Sequence, residues 1–87
     1  MAYRVEIAPA AQRDIKKLPA AVQARLSQPI LSLAENPRPS GSKKLQGDKT
    51  AWRIRVGPFR VVYDVFDDER LVVVLKVARR NEATYQR

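Results

Sequence analysis

Residues 52–63 are Trp-Arg-Ile-Arg-Val-Gly-Pro-Phe-Arg-Val-Val-Tyr, and this stretch decides how the chain folds. Side chains alternate between the two faces of a strand, and directly opposed residues of a hairpin share one face. A two-residue turn at Gly57 and Pro58 therefore predicts a hairpin with one apolar face. That face carries Trp52, Ile54, Val56, Phe59, Val61 and Tyr63. We assign it to the hydrophobic core.

The other face of the same hairpin carries arginine side chains, those of Arg53, Arg55 and Arg60. The pairing sets Arg55 opposite Arg60, and like charges in that position destabilise a sheet. A sheet tolerates this cost most readily where an anion binds, and arginine suits bidentate contacts to phosphate. The alternative is an ordinary solvated face, which antiparallel sheets often have.

The N-terminal part of the chain predicts one strand and two helices. Apolar and charged residues alternate at positions 3–7, as in a strand with one buried face. Pro9 suits the first turn of a helix over residues 9–18, because its missing N–H would have no partner there. Pro19 opens a second helix, whose apolar stripe is Val22, Leu26, Ile30 and Leu33. Pro29 removes a hydrogen bond inside this helix, so we expect a bend or a local break near Leu26.

Residues 36–47 are predicted to form a loop, because proline, glycine and serine are frequent in them. Leu45 is expected to hold this loop to the core. Lys43 and Lys44 lie in the loop, where they either follow a nucleic-acid backbone or are simply solvated. Lys16 and Lys17 on the first helix have the same two interpretations.

Residues 71–78 form an apolar run interrupted by Lys76, which predicts a last strand. A three-residue loop at positions 67–69 places Lys76 opposite Arg60, whereas a loop with an even number of residues would bury it. With the three-residue loop, the apolar face receives Leu71, Val73, Leu75 and Val77. Lys76 then extends a row that runs through Arg55 and Arg60 across three strands, with Arg80 just beyond the strand end.

The order of elements predicts one α+β domain over residues 1–87. Two N-terminal helices pack on one face of a small, mainly antiparallel twisted sheet in the order β-α-α-β-β-β. The other face of the sheet is open and basic.

Charge and composition narrow the class of function. Seventeen Lys and Arg against nine Asp and Glu give a formal charge of +8, which favours nucleic acid or an acidic protein as the partner. The chain has no cysteine and no histidine, so zinc sites and Cys or His nucleophiles are excluded, and no cofactor is predicted. No signal peptide or bilayer-spanning stretch is visible, which predicts a cytoplasmic protein with no membrane partner.

Four sequence blocks accompany this order of elements. They are the loop ending Lys44-Leu45-Gln46-Gly47, the strand at positions 52–56, the block Phe59-Arg60-Val61-Val62-Tyr63, and the ending Val77-Ala78-Arg79-Arg80-Asn81 with Tyr85. In combination they resemble the RelE toxins of bacterial and archaeal toxin–antitoxin pairs, over essentially the whole chain. The resemblance implies a metal-independent endoribonuclease that cuts messenger RNA in the ribosomal A site. It also implies a RelB-like acidic antitoxin as a partner.

The resemblance assigns the active surface to Arg53, Arg55, Arg60, Arg80 and Tyr85. Arg60 and Arg80 are expected to stabilise charge on the phosphate, and Arg53 and Arg55 to hold the RNA backbone. Tyr85 either stacks on a base or relays a proton. Additional RNA contacts are predicted for Lys43, Lys44, Lys76 and Arg79.

Two other classes of function stay open. The related ParE toxins share the scaffold, lack the nuclease site and poison DNA gyrase through protein–protein contacts. A nucleic-acid-binding module without catalytic activity is the third interpretation. The row of cations together with Tyr85 favours the nuclease.

Overall fold

A computed structural model describes residues 2–79 and shows an α+β fold in which two helices cover one face of a sheet. Within these residues the elements are β1 (Arg4–Ile7), α1 (Pro9–Lys16), α2 (Ala20–Ser32), β2 (Lys43–Lys44), β3 (Ala51–Val56), β4 (Phe59–Phe66), a 3₁₀ turn (Asp67–Glu69) and β5 (Leu71–Arg79). The strands of this part of the chain are ordered β1-β5-β4-β3-β2. β1 is parallel to β5, and the other pairs are antiparallel. The predicted fold class is confirmed.

The β3–β4 hairpin has the predicted register. Gly57 and Pro58 form the turn, and Gly57 has a φ of 56°, a backbone conformation that glycine adopts without a steric penalty. Val56 then pairs with Phe59, and Arg55 with Arg60. The six apolar side chains predicted for one face all lie in the core cluster or pack against it.

The two helices bury the stripes that their sequences predict. Ala11 of α1 is fully buried, and the side chains of Leu26 and Ile30 of α2 are only a few per cent exposed. Pro29 lies inside α2, yet the helix continues without interruption from residue 20 to residue 32. Of the two expected outcomes near Leu26, the local break is therefore wrong, and the bend stays a prediction. Burial of a leucine or isoleucine side chain contributes about 1.5–3 kcal/mol. Burial of Leu26 and Ile30 on either side of Pro29 offsets the roughly 3 kcal/mol that proline costs. None of the helices within residues 2–79 is long and apolar enough to span a bilayer.

The register of β5 differs from the prediction. Phe66 pairs with Leu71, so four residues separate β4 from β5, and the last of them, Arg70, has a left-handed conformation. The side chains of β5 that reach the core are Val72, Val74 and Val77, instead of the predicted set Leu71, Val73, Leu75 and Val77.

The loop between β4 and β5 has an even number of residues, and a β-bulge at Leu75 compensates for its effect on which side of the sheet Lys76 faces. Tyr63 pairs with Val74 and Val62 pairs with Lys76, so Leu75 is the extra residue on β5. A bulge of this kind shifts the alternation of side chains by one residue. Lys76 therefore remains on the open face, as predicted, but it lies opposite Val62, and the predicted pairing with Arg60 is wrong.

The loop over residues 36–47 contains a strand that we did not predict. Lys43 and Lys44 form β2, which pairs with Arg53 and Trp52 at the edge of the sheet. The N–H of Leu45 also donates to the carbonyl oxygen of Ala51, at 2.9 Å. The interpretation of this lysine pair as part of an irregular loop is thus corrected. A strand of two residues is too short to show any periodicity in sequence.

Candidate nucleic-acid interface

The open face of the sheet carries cations in two cross-strand rows. In the first row, Lys43 pairs with Arg53, Arg53 with Val62, and Val62 with Lys76, across β2 to β5. In the second row, Arg55 pairs with Arg60, and Arg60 with Ala78. We call this surface the cationic face and define it by Lys43, Arg53, Arg55, Arg60 and Lys76. Neighbouring strands lie about 4.8 Å apart, and the two rows are two residues, or about 7 Å, apart along β3, so they form one continuous basic surface.

The cations of this face differ in exposure. Lys43, Arg55 and Lys76 are exposed, whereas Arg53 and Arg60 are half-buried. The Nε atom of Arg60 is fully buried, so its guanidinium lies close against the sheet. A half-buried arginine has lost part of its rotamer freedom before any ligand arrives, which lowers the entropy cost of binding an anion.

A groove runs along β3 at the edge of the cationic face. It encloses about 340 Å³ and is lined by Ser40, Gly41, Lys43, Arg53, Ile54 and Arg55. Gly41 has a φ of 92°, which side chains rarely adopt, so this residue sets the course of the loop beside the strand. We did not single out Ser40 and Gly41 from the sequence. Their signal was the Ser-Gly-Ser turn composition immediately before Lys43.

The acidic side chains of the open face are bound to other groups. The hydroxyl of Thr50 donates to Oδ1 of Asp64 at 2.8 Å, and Glu6 forms an ion pair with Arg4 at 3.0 Å. Asp64 lies opposite Ala51 and outside both rows. The partners of these two carboxylates, Thr50 and Arg4, both lie outside the two rows.

A cluster of acids lies at the opposite end of β4, in the turn Asp67–Glu69. At about 3.3 Å per residue, Asp67 is roughly 23 Å from Arg60 along the strand. Arg38 donates two hydrogen bonds to Asp67, at 2.6 and 3.2 Å, and Tyr3 donates another at 2.6 Å. The bonds from Arg38 and then Tyr3 lower the pKa of Asp67. The acidic turn is therefore bound to Arg38 and Tyr3, and it lies away from the cationic face.

Two of the predicted RNA-binding residues lie on the helix side of the sheet. Lys44 pairs with Trp52, and its Nζ donates to the carbonyl oxygen of Asp48. Arg79 pairs with Phe59, and its guanidinium lies 5.1 Å from the centroid of that ring. Lys43 and Lys76, by contrast, belong to the cationic face. Arg80 and Tyr85 lie outside the described residues.

Arg25 is a further cation near this end of the molecule that the sequence did not reveal. Its Nη2 atom is 3.8 Å from the position that a Cβ on Gly57 would occupy, so the guanidinium reaches the tip of the β3–β4 hairpin. Arg25 on α2 and Gly57 in the hairpin turn are too far apart in sequence for a local sequence pattern to show that they lie together. Arg25 extends the positive charge around the hairpin tip to the helix side.

This arrangement is suited to binding phosphodiesters and to stabilising negative charge that develops on them. Arginine side chains present several N–H donors in a fixed geometry. They are poor proton acceptors at physiological pH, and the chain has no histidine. The described residues of the face can thus supply electrostatic stabilisation and positioning to a bound phosphodiester.

A family of known proteins matches nearly the whole chain. Its model is described as the ParE toxin of the type II toxin–antitoxin system parDE, and it matches residues 5–84.

Similar proteins of known name or structure carry the name RelE. A putative toxin RelE1 of Methanocaldococcus jannaschii is 35% identical, with 95% of this chain and 96% of that protein covered. The mRNA interferase toxin RelE of Escherichia coli K12 is 28% identical, with 95% and 88% covered. The archaeal RelE in the RelE–RelB complex of Pyrococcus horikoshii superposes with a TM-score of 0.82 at 30% identity, and covers 95% of this chain and 100% of its own.

Proposed function

The chain belongs to the RelE/ParE family of toxins of type II toxin–antitoxin systems, and from this membership we propose that it is a ribosome-dependent endoribonuclease that cleaves messenger RNA. The observation that carries the proposal is the cationic face, with its two rows of cations on the open side of the sheet. The E. coli relative named an mRNA interferase supports the same reaction class.

The reaction is attack of a ribose 2′-OH on the adjacent phosphate, which gives a 2′,3′-cyclic phosphate and a free 5′-OH. The O2′–P bond forms as the P–O5′ bond breaks, and the proton of the 2′-OH is released while the leaving oxygen is protonated. Negative charge accumulates on the phosphorane oxygens between these events. Arg60 on β4 and Arg80 after β5 stabilise this charge, and Arg53 and Arg55 hold the neighbouring phosphates. Tyr85 stacks on a base or relays the proton.

The ribosome has a defined role in this proposal. The cationic face offers charge stabilisation, but arginine is a weak general base, so cleavage depends strongly on how well the 2′-OH is aligned. Messenger RNA held in the A site is already positioned by the ribosome. Such alignment can contribute several kcal/mol to the barrier reduction.

Primer extension on a translated message tests the proposal. Addition of the protein should produce cuts at A-site codons and arrest translation. The same RNA without ribosomes is the control and should remain largely intact. Equal cleavage of translated and untranslated RNA would contradict ribosome dependence, and no cleavage in either would contradict the nuclease assignment.

Variants at Arg60 and Arg80 test the residue roles. Arg60→Ala and Arg80→Ala should each abolish growth arrest and reduce cleavage, while circular dichroism shows a retained fold. Lys49→Ala removes one exposed positive charge outside the cationic face and should leave cleavage unchanged. A folded Arg60→Ala variant that remained toxic would refute its role.

An acidic antitoxin is the proposed protein partner. The support is the charge of +8 and the structures of relatives, among them the RelE–RelB complex of Pyrococcus horikoshii. A negative partner gains association rate and correct orientation from such a charge. Co-expression with the product of the adjacent gene should restore growth.

A second candidate function follows from the matching family model, whose description names ParE. In that case the protein would poison DNA gyrase without cutting RNA. A supercoiling assay with purified gyrase separates the two functions, because a nuclease of the proposed kind leaves gyrase activity unchanged.

A further inference from the structure

We infer that Asp14 is a positioning residue for the cationic face, which it supports from the other side of the sheet through the backbone of β5. The Oδ2 atom of Asp14 accepts a hydrogen bond from the N–H of Val77, at 3.0 Å. Asp14 lies on α1 and is half-buried between that helix and β5. This inference rests on the proposed function, because it assigns a role to Lys76 and the end of β5 in binding RNA.

The contact occurs where β5 loses its strand neighbour. β1 ends at Ile7, which pairs with Val74, and the N–H of Ala8 donates to the carbonyl oxygen of Val74 at 2.8 Å. Beyond this point no residue of β1 is paired with β5. Asp14 supplies the acceptor that a longer β1 would have supplied to Val77. A carboxylate is a strong acceptor for a backbone N–H, because the hydrogen bond is charge-assisted.

The two hydrogen bonds enclose the bulge. One is made by Val74 and the other by Val77, and the extra residue Leu75 and Lys76 lie between them. Without a bulge, the register of the first half of β5 would continue and would place Lys76 on the helix side, opposite Val61. The helix side at that point is the fully buried core. By fixing Val77, Asp14 favours the register in which Lys76 faces the RNA-binding side.

Other hydrogen bonds of α1 lack this arrangement. Gln12 on the same helix donates from Nε2 to the carbonyl oxygen of Ile7 at 2.8 Å, but it is exposed and makes no contact with the bulge through this bond. Gln12 therefore offers a control, a side-chain-to-backbone hydrogen bond on α1 whose acceptor, the Ile7 carbonyl oxygen, lies on β1 and not on β5.

The test compares Asp14→Ala, Asp14→Asn and Gln12→Ala in the full-length protein. Asp14→Ala should raise the amide exchange rate of Val77 and lower A-site cleavage, each on the order of tenfold, the effect of losing a partly buried hydrogen bond. Asp14→Asn keeps a side-chain oxygen and should retain most of both properties. Gln12→Ala should change neither. If Asp14→Ala raises the amide exchange rate of Val77 but still cleaves RNA at the wild-type rate, the inference is overturned.

A double variant separates positioning from a general loss of stability. If Asp14 acts through Lys76, the double variant Asp14→Ala, Lys76→Ala should cleave RNA no more slowly than the slower of the two single variants. Additive losses would overturn the inference. NMR contacts between Val62 and Lys76 report the register without any RNA. If the wild-type protein cleaves no RNA and Asp14→Ala loses these contacts, the register role is supported and only the proposed function is contradicted. Unchanged contacts would contradict the role of Asp14.

Discussion

Arg55 on β3 and Arg60 on β4 lie directly opposite one another on the open face of the sheet, next to the hairpin turn. Like charges in this position destabilise an antiparallel pair, by about 0.2–1 kcal/mol. We predict that Arg55→Thr raises the free energy of unfolding by this amount, because threonine also suits a strand. The same variant should cleave RNA more slowly. Urea unfolding at low ionic strength and the A-site cleavage assay measure the two effects.

The gain in stability from Arg55→Thr should shrink as salt is added, because ions screen the repulsion that the variant removes. Lys49→Thr is the control, since Lys49 is exposed and lies outside the sheet. Its effect on stability should remain within about 0.5 kcal/mol. A variant at Arg55 that is less stable than the wild type at low salt would show that the pair is not repulsive.

Tyr63→Phe should destabilise the fold without altering the cationic face. Tyr63 is fully buried and donates a hydrogen bond from its hydroxyl to the carbonyl oxygen of Pro37 at 2.8 Å. Burial also raises the pKa of Tyr63, so the hydroxyl stays protonated as a donor. Loss of the bond should cost about 1 kcal/mol in the free energy of unfolding. Denaturant titration measures this cost, and an unchanged midpoint would show that Pro37 finds another donor.

Acid should weaken the contact between Asp67 and Arg38. This contact lowers the pKa of Asp67 below its ordinary value of 3.8. The stability that the contact contributes is therefore complete above pH 3.8 and is lost as the pH falls through the lowered pKa. The melting temperature of the wild type should therefore exceed that of Asp67→Asn at neutral pH, and the difference should shrink below about pH 4. A difference that stays constant from pH 7 to pH 2 would mean that the charge of Asp67 plays no part.

Association with the antitoxin should depend on ionic strength. The Debye length falls from about 30 Å at 0.01 M salt to about 8 Å at 0.15 M, so long-range attraction to a chain of charge +8 weakens over this range. Stopped-flow mixing with the product of the adjacent gene should show an association rate that drops steeply. A rate indifferent to salt would leave RNA as the only explanation of the basic surface.

The hairpin could be predicted from sequence because two independent signals agree in it. Alternating apolar residues and a glycine at the turn both require the same register, and the pairing of Arg55 with Arg60 follows from it. The apolar stripes of the helices were predictable for a similar reason. They repeat at helical spacing over several turns, and the positions of Leu26 and Ile30 are confirmed as core.

The register of β5 could not be predicted in the same way. Every residue from Leu71 to Leu75 is apolar, so the sequence contains no alternation that shows which of them are buried. Arg70 adopts a left-handed conformation that lengthens the loop, and arginine is not a residue that signals this. The bulge at Leu75 then depends on tertiary contacts. Of the predicted site, Arg53, Arg55 and Arg60 lie on one face as expected, while the roles of Arg80 and Tyr85 stay predictions.

The parallel pairing of β1 with β5 makes the fold depend on both ends of the described chain at once. Residues 4–7 can join the sheet only after residues 71–74 have been synthesised. Contacts this distant in sequence form late, because closing so long a loop is costly in entropy. A nascent chain therefore carries the arginine hairpin before the strand that bears Lys76 is in place. The cationic face is therefore complete only after β5 has joined the sheet, because Lys76 lies on that strand.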